Sequence, residues 1–310
     1  MLNSNLTVII PCHNEGTTIA AVIKSIKKSI SYADILVIDN ASTDNTSEVA
    51  RKFKVDVVSE HQKGKGFAIL KGLSLVDSGY VIMIDGDATY NCSDILKIID
   101  YLDGGYDHVV ATRIPTSTNA FRGKHALGNV LFSKLQKRLL RIDVDDVFSG
   151  FRGFSNAFIQ SVTFKSKGFE IETDINMHSS VIGARVMNFP SEYRPRPDLS
   201  FSKLRTFSDG FRILKTMQLL LRKWRPGLYL GTPGSACLVL SIGLFMIPLL
   251  EYFSTGMVLH VPTLVVSVSG IVGGISLILS GIIGEMIVQS TRESARQTFR
   301  ILKNLESKLE

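Results

Sequence analysis

The chain has 310 residues, 45% of them hydrophobic, which is enough for one sizeable domain with its own core plus additional segments. The three cysteines are too scattered for a disulfide framework or a metal-binding motif. The formal net charge of +7 suits an anionic membrane face or phosphate-bearing partners, and no nucleic-acid-binding module is visible.

Apolar runs alternate with amphipathic segments over the first hundred residues. Residues 17–30 predict a helix, because their isoleucines and valines recur with helical spacing. Buried strands are predicted over residues 6–10, 34–39, 55–59 and 80–85. The alternation predicts an α/β domain with a doubly wound, mainly parallel sheet and helices on both faces. Ligands bind such sheets beyond the carboxyl ends of the strands.

A polar residue or cluster ends or follows each of the four predicted strands. The clusters are PCHNE (11–15), Asp39, KGKG (63–66) and DGD (85–87). Because the carboxyl ends of parallel strands share one edge of the sheet, the four clusters are expected to meet there. The sequence therefore predicts a ligand site, and a phosphate-rich ligand fits it best.

Asp85 and Asp87, with Gly86 between them, have the spacing of a site for a hard divalent cation. Short acidic pairs are also common in solvated loops, so the spacing alone does not identify a metal site. The position of Asp85 and Asp87 directly after a buried strand favours a site in which Mg²⁺ or Mn²⁺ holds a diphosphate. Lys63 and Lys65 fit either a phosphate-binding loop or a flexible basic turn.

Arg152, in the stretch DVFSGFRGFS (146–155), lies between phenylalanines and glycines. The setting predicts a partly buried guanidinium directed at an anion. The alternative is a structural arginine that pairs with a nearby aspartate.

Two long windows near the C-terminus, Leu228–Leu250 and Pro262–Val288, have almost no charge. Each is long enough to cross a bilayer core of roughly 30 Å, which favours a transmembrane hairpin over two buried core helices. Cations precede the first window and follow the second, whereas the loop between them has no Lys or Arg, so both chain ends are predicted to be cytoplasmic. No signal peptide is recognised, so we expect a multi-pass protein of the cell membrane with a cytoplasmic N-terminal domain.

The predicted organisation has five parts. Residues 205–227 mix apolar and basic residues and end near Trp224, which favours an interfacial amphipathic helix over a plain domain helix. The parts are a cytoplasmic domain (1–204), this juxtamembrane helix (205–227), two spans (228–250 and 262–288) and a basic cytoplasmic tail (289–310).

In their order and spacing, several motifs resemble those of family 2 glycosyltransferases of the GT-A fold, in particular the polyprenyl-phosphate (dolichyl-phosphate) sugar synthases. The motifs are PCHNE, VIDNASTDNT (37–46), the KGKG loop, DGDATYN (85–91), ATR (111–113), DVFSGFR (146–152) and SKL (202–204). The resemblance covers about residues 6 to 205.

The resemblance implies a role for each matching residue. Asp85 and Asp87 would bind the metal, and the nucleotide-sugar pocket would be formed by Pro11, Asn14, Glu15, Asp39, Lys65 and Asp85. The residues facing the acceptor phosphate would be Arg113, Arg122, Arg152, Ser202 and Lys203. Arg194 and Arg196 compete for one further acceptor contact, and the chain departs from the family pattern at Phe148 and Ser200.

The expected reaction moves a hexose or N-acetylhexosamine, from a UDP-sugar by preference, to polyprenyl or dolichyl monophosphate on the cytoplasmic face. Such a nucleophile is already charged near neutral pH and needs no strong base. Asp87 and Arg152 are the expected catalytic residues, joined by Glu172 and Asp174 if a base or an orienting group is required. The alternatives are a glycosyltransferase with a hydroxyl acceptor, a sugar-phosphate nucleotidyltransferase and a non-catalytic nucleotide-sugar-binding adaptor; homo-oligomerisation stays open.

Overall fold

The computed structural model describes residues 6–77, 79–116, 143–163, 171–195, 218–306 and 308. The chain divides into two compact units, the first formed by Met1–Thr206 with Ala295–Glu310 and the second by Phe207–Ser294. The first boundary lies close to the predicted end of the N-terminal domain. The last sixteen residues, Ala295–Glu310, group with the first unit, and the predicted division into five parts stays a prediction.

A seven-stranded sheet organises the first unit. Its strands are β1 (Leu6–Cys12), β2 (Asp34–Asn40), β3 (Asp56–Glu60), β4 (Tyr80–Met83), β5 (His108–Pro115), β6 (Arg152–Phe154) and β7 (Val186–Tyr193). The order is β3-β2-β1-β4-β6-β5-β7, and all neighbours are parallel except for β6, which runs antiparallel to both β4 and β5. The predicted α/β class with a mainly parallel sheet is confirmed.

Helices cover both faces of this sheet. They are α1 (Ile19–Ser29), α2 (Thr46–Arg51), α3 (Lys65–Leu73), α4 (Ile95–Asp103), α5 (Asn156–Gln160) and α6 (Ile171–Ile182), with a 3₁₀ turn at Cys92–Asp94. Val8 and Ile10 of β1 pack in one apolar cluster with α1 and α4, whereas Ile9 packs in a second cluster with α3, α5 and α6. Because successive side chains of a strand point to opposite faces, the chain builds a core on each side of the sheet.

The second unit contains a helical stretch at 218–224, the helix α7 (Pro226–Thr255) and most of α8 (Val261–Glu306). By length and composition, α7 and α8 are apolar enough to cross a membrane, and both predicted spans lie within them. Of the predicted juxtamembrane helix, residues 205–217 lie outside the described residues, and 218–224 are helical.

Within this unit, α7 and α8 approach closely where both carry glycine. A Cβ built on Gly234 would lie 3.0 Å from the carbonyl oxygen of Gly274, and one built on Gly274 would lie 2.9 Å from that of Gly234. Small residues permit such backbone contact between apolar helices. Glu285, which interrupts the apolar run of α8, accepts hydrogen bonds from Arg225 Nη1 (3.4 Å) and the Gly227 N–H (3.2 Å) at the start of α7.

Replacing Gly274 with alanine is expected to lower the thermal unfolding midpoint of the detergent-solubilised protein, because the new methyl group meets backbone atoms of α7. Gly273→Ala is the matched control, since a Cβ there meets nothing within 4 Å. The control is expected to be neutral or slightly stabilising, because alanine favours the helix by about 1 kcal/mol over glycine. Equal midpoints for both variants would show that the close helix contact contributes little.

The C-terminal part of α8 completes the core of the first unit. Phe299 is only 4% exposed and packs in the second apolar cluster with Ile175 and Ile182 of α6. Lys303 Nζ lies 2.7 Å from Asp107 Oδ1, and Arg296 Nε donates a hydrogen bond to the carbonyl oxygen of Val181 (3.2 Å). Arg296 and Lys303, which lie in the predicted basic tail, thus bond to Val181 and Asp107 of the first unit.

Candidate active site

The loops that follow β1 and β2 are joined by hydrogen bonds at the carboxyl edge of the sheet. Asn14 Oδ1 accepts from the Thr43 N–H (2.7 Å), and the Asn14 N–H donates to Ser42 Oγ (3.0 Å). Asp39 accepts from the Ser42 N–H (3.1 Å) and from the Ser47 hydroxyl. Two predicted nucleotide-binding residues, Asn14 and Asp39, are therefore connected through Ser42.

Left-handed backbone conformations cluster at the same edge. Asn14 (φ 56°), Ala41 (φ 52°) and Ala88 (φ 60°) follow β1, β2 and β4 respectively. This conformation costs a non-glycine residue roughly 1–2 kcal/mol, so packing must hold these sharp turns in place. Pro11, another predicted pocket residue, is buried within β1 opposite Ile38, and Glu15 anchors the loop through its N–H to Thr46 Oγ1 (2.9 Å).

Lys65 bridges two carboxylates at this edge. Its Nζ lies 2.7 Å from Asp85 Oδ1 and 2.7 Å from Glu172 Oε1. Burial by itself would lower the pKa of Lys65, but the two carboxylates outweigh burial and raise the pKa, so the ammonium stays charged. Lys65 is the first residue of α3 and Glu172 stands in the first turn of α6, so two helix starts converge on Asp85 at the end of β4.

Glu172 is deeply buried, with 3% of its surface exposed. Its Oε1 holds Lys65, and its Oε2 has no hydrogen-bond partner among the described residues. An inaccessible carboxylate that is already paired with an ammonium suits an orienting role better than that of a general base. Asp174, two residues further along α6, is partly exposed.

The carboxylates of Asp85 and Asp87 fit a hard divalent cation. The Asp87 side chain is oriented because its Oδ1 accepts from the Thr89 N–H (3.1 Å) and hydroxyl (2.6 Å). Among the described residues no group of three or more acidic, histidine or cysteine side chains is placed to hold a metal. Mg²⁺ and Mn²⁺ commonly complete such a shell with water and substrate phosphates.

Gly150 lies against the Asp85 carboxylate. A Cβ at this position would lie 2.1 Å from Asp85 Oδ2, a distance that no real contact permits. The Gly150 N–H donates to the Tyr90 hydroxyl (2.9 Å), which holds the loop in place. Sequence reasoning missed both residues, although a glycine within the SGFR stretch was a usable signal.

Arg113 forms a two-pronged ion pair with Asp146. The Nε–Oδ2 and Nη2–Oδ1 distances are 2.6 and 2.8 Å, and the guanidinium stacks over the Tyr193 ring at 5.3 Å. Burial would lower the pKa of Arg113, but the bonds to Asp146 outweigh it and raise the pKa. The pair fixes the arginine at the end of β5, and its contact with an acceptor phosphate stays a prediction.

Arg152 lies in a buried hydrogen-bond network. It is fully buried and donates hydrogen bonds to the carbonyl oxygens of Ser149 (2.7 Å) and Val147 (2.9 Å) and to the Asn176 side chain. His108 Nε2 lies 3.2 Å from its Nη1. The guanidinium is thus enclosed and engaged by the chain itself, and the contact of Arg152 with an acceptor phosphate stays a prediction. Burial lowers its pKa to about 10, and its contacts shape the 146–150 loop that carries Asp146 and Gly150.

A buried histidine beside this network makes stability depend on pH. His178 hydrogen-bonds to Ser161 Oγ (2.9 Å), and burial lowers its pKa from 6.5 to about 4. Between these values the unfolded chain binds more protons than the folded chain, so stability present above pH 6.5 is lost as pH falls towards 4. The loss from His178 has an upper limit of about 3 kcal/mol. His178→Gln is expected to reduce the fall in thermal midpoint between pH 6.5 and 4. His61→Gln, at an exposed site, is expected to leave that fall unchanged. Identical midpoint-versus-pH profiles for His178→Gln and the wild-type protein would contradict the prediction.

The remaining predicted residues divide into two groups. Arg122, Ser202, Lys203 and Arg196 lie outside the described residues. Arg194 is described; its side chain is 58% exposed and stands 3.7 Å from Glu192. Neither of the two arginines that compete for one acceptor contact is thereby favoured.

The chain is similar in sequence to known proteins over most of its length. Residues 7–163 match the model of the family described as glycosyl transferase family 2. Glycosyltransferase AglJ of Haloferax volcanii is 31% identical over 292 residues, covering 94% of this chain and 96% of the relative. A dolichyl-phosphate hexose transferase of the same organism is 25% identical over 214 residues, covering 69% and 92%.

Solved structures share the fold. Glucosyl-3-phosphoglycerate synthase from Mycobacterium tuberculosis, crystallised with Mn²⁺ and UDP-glucose, aligns with a TM-score of 0.55 at 20% identity, covering 71% of this chain and 79% of that one. This structural similarity agrees with the predicted GT-A fold. With a family match over half of the sequence and a relative aligned along nearly all of it, the chain belongs to glycosyl transferase family 2.

Proposed function

We propose that the protein transfers a hexose or N-acetylhexosamine from a nucleoside-diphosphate sugar, UDP-linked by preference, to polyprenyl or dolichyl monophosphate at the cytoplasmic face of the membrane. The observation that carries the proposal is the convergence of Asp85, Lys65 and Glu172 at the carboxyl edge of the sheet, in a chain with two apolar helices. The dolichyl-phosphate hexose transferase relative supports the lipid acceptor.

The proposed nucleoside-diphosphate sugar donor is supported by the charge of the site and by the fold. Diphosphate oxygens fit the pair Asp85 and Asp87 through a shared divalent cation, and the α3 N-terminus directs backbone N–H groups to the same edge. The fold neighbour that holds Mn²⁺ and UDP-glucose supports this choice of cation and donor. When bound, the metal would neutralise charge on the leaving diphosphate.

The acceptor phosphate brings its own negative charge, so the protein has to place it rather than activate it. An acceptor oxygen would form a bond to the anomeric carbon as the bond from that carbon to the diphosphate breaks. Arg113, fixed by Asp146 at the end of β5, is the described cation best placed to hold this phosphate. Lys65, held by Glu172, would supply a second fixed positive charge near the donor.

The test uses purified full-length protein, polyprenyl phosphate, Mg²⁺ or Mn²⁺, and a panel of radiolabelled nucleotide sugars, with label extracted into organic solvent as the readout. One donor is expected to label the lipid, and Asp87→Asn is expected to reduce the rate by about a hundredfold or more. Asp103→Asn is the matched control, because Asp103 is exposed at the end of α4.

Other outcomes discriminate between the alternatives. Metal-dependent nucleotide-sugar binding without lipid labelling would contradict the proposed acceptor and favour a hydroxyl acceptor, to be tested with glycans. Binding without transfer to any acceptor would favour the adaptor.

A further inference from the structure

A cavity of about 440 Å³, open to solvent and lined in part by exposed arginines, lies at the surface of the first unit, at the sheet edge opposite the candidate active site. Asp107 directly precedes β5 and Arg185 directly precedes β7, so the cavity stands at the amino ends of these parallel strands. Gly183, at the end of α6, forms another part of its wall. Glu172 stands ten residues before Ile182 in α6, which at 1.5 Å per residue separates the two places by about 15 Å.

The cavity carries strong positive charge. Its charged lining consists of Arg185, Arg296, Arg300 and Lys303 with one carboxylate, Asp107. That carboxylate is already engaged, because its Oδ1 lies 2.7 Å from Lys303 Nζ and its Oδ2 accepts from the Arg185 N–H at 2.8 Å. Among the described residues, the lining therefore has more cations than Asp107 can pair with.

Three of these cations come from one face of α8. Arg296, Arg300 and Lys303 are spaced i, i+4 and i+7, and like charges at such spacing destabilise a helix unless an anion meets them. Phe299, buried beside them in the core, fixes this face against the domain. The packing of α8 thus holds three positively charged side chains close together despite their mutual repulsion.

Two of the guanidiniums are held in orientation by bonds that leave other N–H groups available. Arg296 uses Nε for the carbonyl oxygen of Val181 (3.2 Å), and Arg185 uses Nη1 for that of Gly105 (3.1 Å). The Arg185 guanidinium also stacks on the Tyr106 ring at 4.8 Å. Arg300 forms no hydrogen bond or ion pair with the described part of the chain.

We infer that this cavity is a binding site for a phosphate group, separate from the proposed sugar-transfer site and independent of it. Planar guanidiniums match phosphate oxygens in paired hydrogen bonds, and Arg296 and Arg300, one helical turn apart, converge on the same space. Free phosphate and the head group of an anionic phospholipid share this chemistry.

The test is calorimetric titration of the full-length protein in a non-ionic detergent with EDTA, which keeps divalent cations away from Asp85 and Asp87. One arm uses inorganic phosphate, and the other uses short-chain phosphatidylglycerol. Arg300→Glu removes the unengaged cation, and Arg51→Glu makes the same charge change at an exposed position on α2. A lost charge-assisted hydrogen bond predicts about tenfold weaker binding in Arg300→Glu and an unchanged affinity in Arg51→Glu.

The two arms identify the source of the phosphate. Arg300-dependent binding of inorganic phosphate supports a site for the free ion, whereas Arg300-dependent binding of phosphatidylglycerol alone supports a lipid head-group site. The inference is overturned if neither ligand binds the wild-type protein, or if both variants lose affinity equally, because diffuse surface charge would then explain the binding.

Discussion

Gly150→Ala is expected to reduce the rate of sugar transfer by about a hundredfold, the loss typical of a 1 Å displacement at a reacting centre. The added methyl carbon would lie 2.1 Å from Asp85 Oδ2 and 2.5 Å from Asp85 Cγ. Asp85 cannot yield freely, because Lys65 holds its other oxygen. The carboxylate or the 146–150 loop must therefore shift, and either movement disturbs the pair of carboxylates proposed to hold the cation.

The measurement is the lipid-labelling rate of the variant beside that of Gly243→Ala, in which the added carbon meets nothing within 4 Å. Thermal midpoints of both variants separate a displaced carboxylate from an unfolded domain. Full activity in Gly150→Ala would contradict the prediction that the close approach of Gly150 fixes Asp85 for transfer.

Phe299→Ala is expected to destabilise the first unit by about 3–5 kcal/mol, the usual cost of removing a buried phenylalanine ring. For a unit of this size the thermal midpoint would fall by roughly 10 °C. The loss arises in the core of the catalytic unit, because the ring packs with residues of α6. Transfer activity should therefore disappear at a lower temperature than in the wild-type protein.

Ile301→Ala is the matched control, since this side chain lies two residues further along α8 and is 59% exposed. Its midpoint is expected to stay within about 1–2 °C of the wild-type value. Similar midpoints for Phe299→Ala and Ile301→Ala would contradict the docking of this part of α8.

The sequence predicted the sheet and its polar edge because both depend on local patterns. Buried strands read as apolar runs, and polar residues at the strand ends mark the edge where Asn14, Asp39 and Asp85 meet. The two apolar helices could likewise be predicted from their length and composition.

Contacts between residues far apart in the sequence could not be predicted from local patterns. Arg113 and Asp146 are 33 positions apart, and the pairing of Lys65 with Glu172 joins α3 to α6, so no spacing rule connects them. The surroundings of Arg152 could not be predicted either, because a guanidinium between phenylalanines suits either an anion site or a buried network. Only the fold shows that carbonyl oxygens and Asn176 enclose it.

The place of Phe299 has a consequence for biosynthesis. The ribosome makes the sheet first, the two apolar helices next and the aromatic side chain that closes the core near the end. Until that residue emerges, the second apolar cluster stays open to water, and the helix carrying Glu172 lacks part of its support. Completion of this core is thereby tied to synthesis of the apolar helices, so a chain truncated ahead of them lacks the side chain that closes the second apolar cluster.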